Sequence, residues 1–258
     1  MGLLLKAGID LDLIKSALIA FSTISISILI INYLPFLKKF IPNHTLQLGG
    51  LIGNTSFLGI PIAIALLPTD TINFTIGFDL GTTLFAWIFG PFLLKKDKSL
   101  NNFLNLQNLL FSVLNSPASR GIIGVLIIYI LGLEDILRDY LWIPAKLVIM
   151  IAIIIVGARL GIISNSGRYV FQIDKEIISS ILLKLVFLPL IIFGVINLID
   201  LDRNQTISLL LQAGTPSAIS TILMAEAFKN NQDLAANILF STTILSIITI
   251  SIFSIFIQ

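Results

Sequence analysis

The chain has 258 residues, of which 56% are hydrophobic and only 12% charged, and its mean hydropathy is +1.01. A soluble domain carries about 25% charged residues, so the composition excludes a soluble globular protein and points to an integral membrane one. The net charge of +2 and isoelectric point of 8.9 imply no nucleic-acid partner, because in such a chain the placement of basic residues matters more than their sum. There is no cysteine and a single histidine, His44. Disulfides, thiolate sites and a histidine-based metal centre are therefore excluded, and no cofactor is expected.

The start, MGLLLKAGIDLDLIK, lacks a basic region followed by an apolar core and a small-residue cleavage site, so the first span is expected to act as its own insertion signal. The apolar blocks suit helices crossing a hydrocarbon core about 30 Å thick, not the ~10-residue strands of an outer-membrane barrel. The expected fold class is an all-α polytopic membrane protein. Its spans are predicted at 13–34, 45–67, 72–94, 117–133, 142–163, 176–199, 205–228 and 233–257. Between the third and fourth lies SLNNFLNLQNLLFSVLNS (99–116), where Phe103, Leu106, Leu109, Leu110 and Val113 recur at helical spacing against Asn and Gln. That pattern predicts a helix lying along the membrane interface.

Lys38, Lys39, Lys95, Lys96, Lys98, Arg168, Lys175 and Lys229 fall in alternate loops on one side, against Arg138 and Arg203 on the other. The positive-inside rule makes the Lys-rich side cytoplasmic and turns both chain ends outward.

The second and seventh spans each carry helix breakers at mid-depth: GNTSFLGIP (53–61) and AGTPSAIST (213–221). A shift of 160 residues sets one opposite the other and also sets LGTTLF (80–85) on FSTTIL (240–245). The two broken spans run in opposite directions by the span order, so the repeat is inverted. In lipid, a broken helix is tolerated only where protein or a water-filled cavity takes up the freed backbone groups. Pro61 lacks an N–H and crowds the carbonyl four residues earlier, while Gly53 and Gly59 admit close backbone approach. A single patch reads most simply as a kink that shapes packing. The matched pair reads instead as a transporter site, with half-helix amino ends facing anions and carbonyl ends facing cations. The candidate substrate-binding residues are Gly53, Asn54, Thr55, Ser56, Pro61, Gly214, Thr215, Pro216 and Ser217. Asp79, Arg120, Lys184 and Glu226 are candidate charge partners, since each costs ~2.5 kcal/mol or more at mid-bilayer unless paired, hydrated or snorkelling. The Thr82-Thr83 and Thr242-Thr243 pairs are expected to hydrogen-bond between helices. No constellation for covalent chemistry is present, so no enzyme activity is expected.

GNTSFLGIPIAI followed by a short acidic turn, with AGTPSAISTILMAEAF and LAANILFSTTILSIITISIF, resembles the auxin efflux carrier family of membrane transport proteins. The resemblance implies an inverted repeat of five plus five helices with both termini outside, two unwound helices crossing near the substrate site, and organic anions as substrates. Asn54 and Pro61 would lie at the first crossover and Pro216 and Ser217 at the second, with Glu226 ending that helix. Against that pattern, residues 1–98 form a first repeat of about three helices, short by two at its start, 99–116 a linker helix, and 117–258 a second repeat of about five. The expected function is a secondary permease or efflux carrier moving a small organic anion by alternating access. It would sit in a bacterial inner membrane, with a homodimer compatible with it. The competing reading, prompted by the short first repeat, is a non-transporting sensor, assembly partner or degenerate fragment.

Overall fold

The computed structural model describes residues 1–94, 114, 116–165, 174–199 and 201–255. The helices are α1 (Gly2–Ala7), α2 (Leu11–Tyr33), α3 (Pro35–Phe40), α4 (His44–Leu51), α5 (Ile60–Leu66), α6 (Ile72–Leu94), α7 (Pro117–Ile130), α8 (Glu134–Asn165), α9 (Lys175–Leu182), α10 (Leu188–Ile196), α11 (Arg203–Ala213), α12 (Ile219–Ala227) and α13 (Gln232–Ile255). Two π-helical turns, Thr55–Gly59 and Leu183–Phe187, lead into α5 and α10. The expected linker helix lies outside the described residues, apart from Leu114 and Ser116.

Five helices are long and apolar enough to cross a membrane: Leu11–Tyr33, Ile72–Leu94, Glu134–Ala158, Lys175–Ile196 and Gln232–Ile252. The three other expected spans are helical too. That at 117–133 is the shorter α7, and those at 45–67 and 205–228 are each divided into two half-helices. Helix starts follow local chemistry. Asp10 and Asn43 accept from Leu13 N and Leu46 N at 2.8 Å each, and Ser116 accepts from Ser119 N at 3.0 Å. Asp202 and Gln205 form a reciprocal capping box at α11. Each cap satisfies an amide that the first helical turn leaves without a partner.

The main core joins α2, α4, α6, α9, α10, α11 and α13 through residues such as Ile24, Leu48, Phe78, Ile192, Leu209 and Ile238. Helices α2 and α6 approach closely because Gly77 and Gly81, one turn apart, leave no side chain between the backbones. A Cβ on either would stand 2.3 Å from Leu13 O or 2.1 Å from Ala17 O, the small-xxx-small contact of membrane helices. Phe21, Phe85 and Phe89 close the same interface, with ring centroids 5.2 to 5.9 Å apart.

A second apolar cluster ties α1 and α7 to α6, and α1 lies along α8, with Lys6 3.6 Å from Asp139. Helix α8 is otherwise sparsely covered. Only 6% of its most apolar window is buried, against 44% for each of the other four long helices.

The halves of the chain register on each other at a constant offset of 164 residues, Leu11 on Lys175 and Gly53 on Ser217. At this offset α2 overlays α9 and α10, α4 falls within α11, the first π turn and α5 overlay α12, and α6 overlays α13. The sequence shift of 160 is thus four residues short. Four residues are about one helical turn, which moves a residue along the axis while nearly keeping its face.

Candidate functional site: the crossing of the broken helices

The two interruptions meet. Gly53 and Ser217 form an antiparallel bridge, with Asn54 N–H donating to Pro216 O at 2.7 Å and Ala218 N–H donating to Ile52 O at 3.0 Å. At the 164-residue offset these two bonds are the same bond seen from either half. Each segment thereby satisfies backbone groups that the other's break sets free, as hydrocarbon requires. Ser217 is held further by its hydroxyl, which donates to Gly49 O, and by its N–H, which donates to Thr242 Oγ1 at 3.1 Å.

Pro61 is not part of the unwound segment. It sits in the first turn of α5, directly after the π turn, where Ile60 N–H reaches back five residues to Thr55 O. The missing proline N–H and the crowding it brings widen the preceding turn without opening it. The unwinding is carried by Ile52, Gly53 and Asn54. Pro189 stands in the same relation to the second π turn, where Leu188 N–H reaches Leu183 O. That π turn carries Lys184.

The two sides of the crossing differ. On one side lie the amino ends of the half-helices that begin there. Asn54, Thr55, Ser56, Ala218, Ile219 and Ser220 line a cavity of about 250 Å³, closed by Thr82, Thr83, Ala86 and Trp87 of α6. The hydroxyls of Thr55 and Ser56 donate at 2.5 and 2.6 Å to one carboxylate oxygen of Asp79. Asn54 is buried and its Nδ2 has no partner, as is the case for the buried Thr82 Oγ1. Thr82 thus faces the cavity rather than bonding another helix, whereas Thr242 does bridge helices, accepting from Ser217 N–H.

On the other side, where α4 and α11 end, Lys184 is buried and donates from Nζ to Ala213 O at 2.7 Å. Thr215 Oγ1 donates to Gln212 O at 2.7 Å. The Gln212 side-chain amide is also buried and has no partner, against Gly59, where a Cβ would meet Oε1 at 2.1 Å.

Of the expected residues, the structure brings together Gly53, Asn54, Thr55, Ser56, Gly214, Thr215, Pro216 and Ser217. The hydroxyls of Thr55, Ser56, Thr215 and Ser217 are each committed to a protein acceptor. Asp79 and Lys184, considered above as a pair, lie instead on hydroxyl and carbonyl partners of their own. Arg120 is exposed in the first turn of α7, and Glu226 is exposed near the end of α12. Sequence reasoning missed Ser220 and Trp87 in the lining, the cavity-facing role of Thr82, and Gln212. Only Pro189 offered a signal, being placed after LKLVFL as Pro61 is after TSFLGI.

These features define an all-α polytopic membrane protein whose two broken helices cross antiparallel at mid-chain positions. The profile of the membrane transport protein family matches residues 109–254, more than half of the chain, including the second crossing segment. The chain belongs to that family, of auxin efflux carrier type, and is a membrane transporter. It is also similar to an uncharacterized transporter of Methanocaldococcus jannaschii, 22% identical over 212 residues, which cover 80% of this chain and 67% of that protein.

Proposed function

We propose that the chain is a secondary transporter that moves a small organic anion by alternating access, without chemical change to its cargo. One observation carries this reading: the amino ends of both half-helices, at Thr55 and Ile219, line the same small cavity. Helix amino ends carry unpaired N–H groups and the positive end of the helix dipole, and both favour an anion. Asn54 Nδ2 adds a buried donor that the protein leaves unused. The cavity has the volume of ~8 waters, room for an anion of a few carbon atoms with some of its hydration. The Lys-rich loops support a cytoplasmic face on their side and outward chain ends, in a bacterial inner membrane.

The transporting motion in this reading shifts the crossed core against α1, α7 and α8, whose contacts with it are few. The test is uptake of radiolabelled malonate or malate by proteoliposomes under an imposed membrane potential. Asn54→Ala is expected to cut uptake at least about tenfold, equivalent to ~1.4 kcal/mol, with insertion and folding intact. Unchanged uptake in that variant would remove the anion site from the crossing. Absence of flux for every organic anion tried with the wild type would favour the non-transporting alternative.

A further inference from the structure

The carbonyl side of the crossing holds a charge that the anion reading does not use. Lys184 is 1% exposed, and among the described residues no carboxylate lies within ion-pair distance of it. An ammonium buried without a counter-ion is costly unless something else supplies negative potential. Its surroundings supply that potential from the backbone. Nζ bonds the carbonyl of Ala213, the last residue of α11. It also lies beside the backbone of the other crossing segment, since a Cβ built on Gly53 would stand 3.0 Å from Nζ and 2.5 Å from Thr215 Oγ1. Helix carbonyl ends carry the negative end of the dipole, and in broken-helix transporters such ends coordinate Na⁺ or H⁺.

Local structure accounts for the side chain's position. The π turn Leu183–Phe187 adds a residue to the helical turn ahead of Pro189 and interrupts the regular α stacking where Lys184 enters the core. Gly50 of α4 lies against the same turn, where a Cβ would stand 2.7 Å from Leu183 Cδ2. The ammonium thus sits at the end of one half-helix and against the unwound segment that follows the other.

We infer that Lys184 is a tethered monovalent cation. Its ammonium fills the position that a free Na⁺ would otherwise take between the two crossing segments, and it fixes the crossing without an added ion. The site is distinct from the anion cavity, and its test reads protein stability, so it stands or falls independently of the cargo.

Three purified proteins are compared by thermal unfolding in detergent at constant ionic strength: wild type, Lys184→Ala and Lys184→Met. Each is measured in N-methylglucamine chloride, in NaCl and in propylammonium chloride. The wild type is expected to have the same Tm in all three salts. Lys184→Ala is expected to lose stability in N-methylglucamine and to recover most of it, saturably, in NaCl or propylammonium. Lys184→Met, which fills the space without a charge, is expected to be destabilised and to recover in neither.

Three results would overturn the inference. Saturable stabilisation of the wild type by Na⁺ would mean that the position is not filled. A wild-type Tm for Lys184→Met would mean that only the side chain's bulk matters. A loss in Lys184→Ala that neither cation restores would mean that no cation site is exposed. Should Lys184→Ala fail to accumulate, the wild-type and Lys184→Met arms decide.

Discussion

The two sides of the crossing are built from the same backbone and do opposite things. A pseudo-twofold relation at 164 residues makes the bonds Asn54 N to Pro216 O and Ala218 N to Ile52 O equivalent, yet the amino-end side is hollow and the carbonyl-end side is filled. On the hollow side the protein leaves donors unused, Asn54 Nδ2 and the hydroxyl of Thr82. On the filled side an ammonium closes on the last carbonyl of α11. The polarity of a helix sets which kind of charge each side favours. Side chains then determine whether that charge comes from outside or is supplied by the chain.

The contrast breaks most sharply at Gly53. Its missing side chain is the space into which Thr215 and Lys184 fit, so Gly53→Ala puts a methyl 2.5 Å from Thr215 Oγ1 and 3.0 Å from Lys184 Nζ. Overpacking of this kind costs ~1 to 3 kcal/mol. The variant is expected to unfold at clearly lower temperature and to lose uptake, because the crossing bonds on both sides run through residues 52 to 54. A Gly53→Ala protein with wild-type Tm and flux would show that the filled side has slack.

Much of this architecture was legible beforehand. Long apolar blocks marked every span, and the paired breakers GNTSFLGIP and AGTPSAIST located the crossing because hydrocarbon tolerates a broken helix only when something completes it. The antiparallel bridge follows from the opposite directions of those two spans. The register was misjudged because LGTTLF and FSTTIL resemble each other one turn out of step. In the structure, Asp79 stands opposite Thr243 at the 164-residue offset, and no Thr-Thr pair coincides.

Side-chain roles were less legible. Four candidate hydroxyls look alike in the sequence, yet each is turned to a protein acceptor, because hydroxyls buried in an apolar bilayer must find one. Pro61 was read as the break itself. A proline's effect reaches the turn before it, and there the chain widens into a π turn while the unwinding falls on residues 52 to 54. The equivalent turn before Pro189, which carries Lys184 into the core, had the same sequence cue and went unread.

Asp79 offers a smaller effect of opposite sign. Its carboxylate takes the hydroxyl protons of Thr55 and Ser56 and places a negative charge beside a cavity proposed for an anion. Asp79→Asn keeps an acceptor oxygen for one of those hydroxyls and removes the charge. The KM for the transported anion is expected to fall about two- to fivefold, an effect of ~1 kcal/mol or less, with only a slight drop in Tm. A rise in KM would mean that Asp79 serves the cargo directly, and the amino-end side would then have to be reread as a site for a cation or a protonated acid.

The mildest change separates stability from function on the hollow side. Thr82 Oγ1 is buried and has no partner, and in a closed core such a group costs ~1 to 3 kcal/mol. Thr82→Val replaces it with a methyl of similar shape. A hydroxyl without a role should give a variant that is at least as stable as the wild type and transports as well. The cavity reading assigns it a role, bonding the bound anion or its water. Thr82→Val is therefore expected to hold or gain Tm while uptake falls by a factor of a few. Reduced stability together with unchanged uptake would move Thr82 into the scaffold and leave Asn54 and the two helix ends to hold the anion.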